Sequence, residues 1–353
     1  GIDHKNYADL QGDRWRPLFN RALQGQYPPG STVKPIVGLA GLDAGFVDWK
    51  YTIWDPGWYK INGDGRFYRD WKKWGHGFVN LDTAITQSCD VYFYELAHRM
   101  GSDRLHDFMM PFGLGRRTLI DMAGESTGVL PNSEWKHRVK KERWYPGESL
   151  SMGIGQGYVL TTPLQLATAV ATIANHGKIL QPRMVEKVSS KDVDIHPLEV
   201  PPTERIQLKD DAQWEKVIAA MRNVVMTERG TAWGSVGKVL RKYDMAGKTG
   251  TAQVVNIKQG ETYQESKLKE WHRDHAWFVG FAPTDHPRIA IAVLVENGGH
   301  GGSAAAPVAK AVADAYFASE ARRHPETIET PAISTDANSS SVIPTAPGGS
   351  TPQ

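Results

Sequence analysis

The 353 residues carry 41 basic and 39 acidic side chains, a net charge of +2, with 40% hydrophobic and 23% charged residues. This ordinary globular balance allows one large domain or two smaller ones, and it leaves no electrostatic footprint for a nucleic-acid partner. No run reaches the ~18 apolar residues of a membrane span, no signal segment opens the chain, and a single cysteine excludes an internal disulfide.

The first 30 residues are polar and turn-rich. From Ser31 to about Gly45 an apolar run predicts a buried helix. Ser31 is either its N-cap or a nucleophile served by Lys34, one helical turn on. A loop dense in Gly, Asp and Trp runs from Asp55 to Gly77, and the aromatic residues between Trp49 and Trp74 read as core and cleft walls. Leu81 to Met100 reads as one helix, or two joined near Ser88, ending at Gly101. Thr161 to His176 is a capped apolar helix with a glycine stop. The Pro- and charge-rich stretch 185–210 reads as an edge hairpin or excursion, and Gln213 to Thr227 as an amphipathic helix. Strands follow at Lys248–Asn256, Ala276–Ala282 and Arg288–Glu296, the last two joined as an antiparallel hairpin across PTDHP. A small-residue helix from Ala304 to about Ser319 closes the ordered part. Beyond Arg323 a Pro-, Ser- and Thr-rich composition predicts disorder. Late strands with helices before and after them predict an α+β fold with α/β/α layers.

The pattern S-x-x-K occurs four times, at Ser31, Ser133, Ser235 and Ser266, and alone it is weak. Ser133 and Ser266 stand in charged, exposed-looking stretches and Ser235 in a Gly-rich turn. Only Ser31 opens an apolar helix, which would hold a nucleophile rigidly and favour developing negative charge. Two further motifs follow in order: Ser88-Cys89-Asp90 in the second helical region, then Lys248-Thr249-Gly250-Thr251 on the first late strand. Cys89 also lies downstream of Asp55, Asp70 and His76. Two carboxylates, an imidazole and a thiolate suit tetrahedral zinc, although a lone buried cysteine is more often a small hydrophobe. His272 and His275, in HRDH, could bind metal, but their charged loop favours a solvated reading. His300 reads as a tight turn near the cleft, and QESKLKEWHRDH as a mobile lip between two strands.

Together these motifs resemble the penicillin-recognising serine transpeptidases, and within them the class B penicillin-binding proteins that serve elongation in Gram-negative bacteria. RPLFNRALQGQYPPGSTVKP, DWKKWGHG, SMGIGQGYVLTTPLQLA, GKTGTAQV, AWFVGFAP and HGGSAAAPVA carry the likeness, between residues 16 and about 308. It implies an antiparallel sheet flanked by helices, a transpeptidase domain over 1–323 and a disordered tail over 324–353.

In the family's pattern Ser31 attacks a D-Ala-D-Ala stem peptide of peptidoglycan and Lys34 takes its proton. Ser88 relays a proton to the leaving amine, with Lys248 supplying positive charge. Thr249 binds the terminal carboxylate, Gly250 lets the substrate lie along the strand, and the N–H groups of Ser31 and Thr251 form the oxyanion hole. Asp90 stands where many relatives have asparagine, so its contacts must differ. The resemblance also implies zinc on Asp55, Asp70, His76 and Cys89, and no organic cofactor. Expected partners are stem peptides as donor and amine acceptor, β-lactams, a membrane glycosyltransferase and elongation-complex proteins. The chain begins abruptly at GIDHKNY, so the resemblance implies a truncated form of an inner-membrane protein whose catalytic domain faces the periplasm. It would lack an anchor, a pedestal domain and the sheet's first strand or two. A D,D-carboxypeptidase or serine β-lactamase would use the same motifs, and a β-lactam sensor is the non-enzymatic alternative. The glutamate loop of a class A β-lactamase, E-x-x-L-N, is not found.

Overall fold

A computed structural model describes residues 1–185, 204–254 and 269–323. Helices α1 (His4–Gly12), α2 (Arg21–Gln24) and α3 (Lys34–Asp43) open the chain, with a 3-10 turn at Gly30–Val33 leading into α3. Four short strands follow: β1 (Ile53–Asp55), β2 (Trp58–Tyr59), β3 (Tyr68–Arg69) and β4 (Gly77–Val79). Next come α4 (Leu81–Thr86), α5 (Asp90–Met100), α6 (Ser102–Met109), α7 (Ser133–Lys140), α8 (Pro146–Gly153), α9 (Pro163–Ala174) and α10 (Ala212–Met226). The main sheet is β5 (Ala246–Ala252), β6 (His275–Ala282) and β7 (Ile289–Val295), and α11 (Gly301–Arg323) closes the described chain.

The sheet runs β5-β6-β7, antiparallel throughout, with Gly250 opposite Trp277 and Phe278 opposite Val293. Every residue of β6 after His275 is buried, so both of its faces are covered. α11 lies against all three strands, α9 against β6 and β7, and α10 against β5. α3, α4 and α5 pack behind α10, where Leu39, Leu81, Phe93 and Trp214 are almost fully buried. These are the α/β/α layers expected.

Local chemistry explains most element ends. Thr162 and Gln165 form a reciprocal capping box at the start of α9, each bonding the other's backbone N–H. Pro163 occupies the first helical turn, where its missing N–H is harmless.

Several sequence expectations are corrected. The polar opening contains a helix, α1, whose N-terminus is capped by Asp3 accepting from the Asn6 N–H. Ser31 does not cap α3; it lies inside the 3-10 turn, and α3 begins at Lys34. The Gly- and Trp-rich loop folds into two small antiparallel pairs, β1 with β4 and β2 with β3. Its Trp54, Trp58, Trp71 and Trp74 are exposed rather than core, Trp74 by 82%. Lys136 of the Ser133 motif is buried, because Glu148 and Glu142 supply its counter-charge. His275 belongs to β6, and its ring nitrogen accepts from the Asn297 N–H. α11 is longer at both ends than the small-residue pattern implied. Most of the 185–210 excursion, residues 264–268 of the lip, the end of the strand read to Asn256 and the tail from 324 lie outside the described residues, while the rest of the lip carries a 3-10 turn at Glu270–His272 before β6.

Candidate active site

The site is organised by the break between α4 and α5. Ser88 adopts a left-handed backbone, φ 61°, which costs a residue with a Cβ about 1–2 kcal/mol and turns the chain sharply after Thr86. Cys89 then caps α5, its Sγ accepting from the Tyr92 N–H at 3.4 Å. Asp70 reaches in from the loop before β4, and one of its oxygens accepts the N–H groups of Asp90 (2.7 Å) and Val91 (3.2 Å). A carboxylate at a helix N-terminus satisfies orphan donors and meets the positive end of the dipole. Asp90 returns the contact by accepting the Trp71 N–H.

Both motif lysines converge on this break. Lys34 Nζ donates to Ser88 O (2.8 Å), Ser88 Oγ (3.3 Å) and Asp90 Oδ1 (2.7 Å). Lys248 Nζ donates to Ser88 Oγ at 2.8 Å and to Thr249 O at 2.9 Å. Neither lysine is exposed to solvent. Ser88 Oγ thus accepts from two amines, and its own proton stays free to donate.

Two cations and one carboxylate in a buried pocket cannot all keep their usual protonation. Burial drives Lys248 well below the ordinary lysine range; the Lys34 charge adds to that and Asp90 opposes it. Burial also pushes the Asp90 carboxyl above the usual carboxylate range. Lys34 pulls it back, while Asp70 adds to the rise.

Ser31 is partly open to solvent between buried neighbours, Gly30 and Thr32. The Lys34 amine is held on Ser88 and Asp90, and among the described residues no hydrogen bond reaches the Ser31 hydroxyl. The turn carrying Ser31 is pressed on β5. Gly30 has φ 55° and its N–H donates to Gly155 O at 2.9 Å, while a Cβ on Gly30 would lie 2.5 Å from Thr251 O. Among the described residues β5 has one strand neighbour, β6, so its other edge can receive an extended chain.

Two contributors escaped the sequence reading. Gln156 Nε2 donates to Thr251 O at 3.0 Å, and Thr231 Oγ1 lies 2.6 Å from Thr249 Oγ1. The Gly-rich run around Gln156 was a visible signal, whereas nothing local marks Thr231.

The expected metal set is assembled. One donor atom from each of Asp55, Asp70, His76 and Cys89 lies within 4.8 Å of the others. His76 Nδ1 is 2.7 Å from Asp55 Oδ2 and 3.5 Å from Asp70 Oδ1, and the Cys89 thiol donates to Asp55 at 3.3 Å. Burial works against a charged His76, but the hydrogen bonds its ring donates to Asp55 and Asp70 outweigh it and hold the imidazole up to about 9. Burial, with both carboxylates adding, pushes the Cys89 thiol far up. Two buried carboxylates with a soft sulfur and an imidazole at tetrahedral reach fit a divalent zinc ion. Among the described residues the buried His76 Nε2 has no hydrogen-bond partner, while Trp71 packs edge-on against the ring at 5.7 Å.

Comparison with known proteins identifies the family. A model of the penicillin binding protein transpeptidase domain matches residues 2–314. The peptidoglycan D,D-transpeptidase MrdA of Acinetobacter baumannii is 47% identical over 90% of this chain and 46% of its own length. That of Escherichia coli K12 is 41% identical over 85% and 47%. The chain thus spans about half the length of the curated relatives it matches. Among solved structures, Pseudomonas aeruginosa PBP2 in complex with WCK 5153 is 47% identical with a TM-score of 0.79, covering 90% of this chain and 67% of that one. Helicobacter pylori PBP2 in complex with MreC is 32% identical with a TM-score of 0.77, covering 90% and 54%.

Proposed function

The chain belongs to the penicillin-binding protein transpeptidase family, and from that premise we propose that it cross-links peptidoglycan stem peptides through an acyl-enzyme on Ser31. One observation carries the reading: two buried lysines share the Ser88 hydroxyl near a partly open Ser31 and a β5 edge that has no strand neighbour among the described residues.

Ser31 Oγ bonds to the penultimate D-alanine carbonyl carbon, and the C–N bond to the terminal D-alanine breaks. The serine proton enters the Lys34–Ser88–Lys248 group and leaves through Ser88 Oγ to the departing nitrogen. Lys34 takes it in the family's pattern, and crowding of two amines favours keeping one of them neutral. The Ser31 and Thr251 N–H groups receive the oxyanion, an arrangement worth about 3–4 kcal/mol per donor. Gly250 keeps the strand edge clear, and Thr249 takes the substrate carboxylate. The amine of a second stem peptide then attacks the acyl carbon, the C–O bond breaks and Ser31 regains its proton.

Asp55, Asp70, His76 and Cys89 are the residues that would hold zinc. When bound, the ion supplies positive charge that ties the loop to the α4–α5 break, and no acyl-transfer step passes through it. The same reading gives β-lactams as acylating inhibitors and a periplasmic setting for the catalytic domain. A membrane glycosyltransferase and an elongation-complex protein, such as the MreC seen with the H. pylori relative, are the partners it implies.

The test is intact-protein mass spectrometry after benzylpenicillin. A stable adduct in the parent and none in Ser31→Ala supports the reading. Fast loss of the adduct points to a β-lactamase, and no adduct on folded protein removes Ser31 as a nucleophile.

A further inference from the structure

Thr231 precedes the main sheet by a full structural unit, yet its hydroxyl lies 2.6 Å from that of Thr249. Its position is fixed from behind by the N-terminus of α11. A side chain on Gly302 would collide with Thr231 O, and the Gly302 carbonyl accepts a bond from Ser235 Oγ at 2.5 Å. The Ala232 N–H, one residue on, donates to Val224 O of α10. The backbone that carries Thr231 is therefore held between α10 and α11.

A hydroxyl offers one donor and two acceptor positions. If Thr249 is to donate to an anionic carboxylate, its lone pair is the position available to Thr231. We propose that Thr231 is a positioning residue for carboxylate recognition: it donates to Thr249 Oγ1 and thereby directs the Thr249 proton at the substrate's terminal carboxylate. This rests on the transpeptidase reading and adds a residue to its recognition site. Donation into Thr249 polarises its O–H and removes the rotamers in which that proton would point away. The effect belongs to charged ligands, because a neutral ester in the same place gains much less from an oriented donor.

The experiment measures the acylation rate constant at Ser31 for benzylpenicillin and for its uncharged methyl ester. The parent chain, Thr231→Val and Thr231→Ser are compared, with melting curves for each. Valine keeps the shape and removes the hydroxyl; serine restores it. The acid-to-ester rate ratio should fall about 10-fold or more in Thr231→Val, on the scale of a hydrogen bond to a charged group. Thr231→Ser should return it to within about 3-fold of the parent. An unchanged ratio in Thr231→Val overturns the proposal, as does an equal loss on acid and ester, which marks a merely structural role. A parent chain that is not acylated brings down the transpeptidase reading and this inference with it. Acylation of parent and valine variant alike brings down this inference alone.

Discussion

Ser88 combines a left-handed backbone with a hydroxyl that two lysine amines share, and the two properties can be separated by substitution. Ser88→Ala keeps the strain and removes the acceptor, leaving one donor on each lysine unpaired in a buried pocket. It should destabilise the fold by about 1–3 kcal/mol and cut Ser31 acylation. Ser88→Gly removes the same hydroxyl but relieves the φ 61° conformation, so it should be about 1 kcal/mol more stable than Ser88→Ala in denaturant melts. Equal stability of the two variants would show that the backbone stores no strain there. Gln156→Ala makes a second residue-scale prediction. It frees Thr251 O from its side-chain donor, so acylation should slow several-fold while the melting midpoint stays within a few degrees, read by the same mass assay.

At the scale of elements, the α4–α5 break is held from outside its own helices. Asp70 caps α5 and also contributes to the cluster of Asp55, His76 and Cys89, so the loop and the break share one anchor. A bound zinc ion should stabilise the folded chain by mass action. Micromolar zinc is expected to raise the melting midpoint of chelator-treated protein by several degrees, and Cys89→Ser to abolish the rise. Coincident melts with and without zinc would dismiss the metal. The three motifs could be read from the sequence because each is a short local pattern with distinctive residue types, whereas the cluster of Asp55, Asp70, His76 and Cys89 is spread over a long loop and followed only from the family resemblance. The possibility of a helix joint at Ser88 was visible too. What stayed hidden depends on contacts made after folding. Thr231 meets Thr249 across 18 residues, and Gln156 meets Thr251 across 95. The exposed tryptophans were misread as core because hydropathy does not say which face of a small hairpin looks outward.

At the scale of the whole molecule, the layers are also pinned by ion pairs, and one of them gives a pH dependence. Asp244, just before β5, accepts from Arg222 of α10 at 2.6 Å and from the Thr284 N–H after β6 at 2.8 Å. Burial opposes its charge, but the Arg222 and Thr284 bonds outweigh it and hold the carboxyl below its ordinary 3.8. A lowered folded pKa contributes stability that is present above the unfolded value and lost as pH falls through the folded one. Asp244→Asn should therefore cost about 1 kcal/mol near neutrality, the pair being partly exposed. That gap should narrow as urea melts are taken from pH 5 down past 3.8; a gap independent of pH would remove Asp244 from the account. The break at residues 88–90 has a consequence for drug escape. Its three consecutive side chains serve different masters: the shared hydroxyl, the metal set and the lysine counter-charge. On the transpeptidase reading, a codon change at Ser88 that weakened a β-lactam would also slow acylation by the natural donor. Resistance by target alteration is therefore expected to gather on the outer rim of the cleft, leaving Ser88 intact.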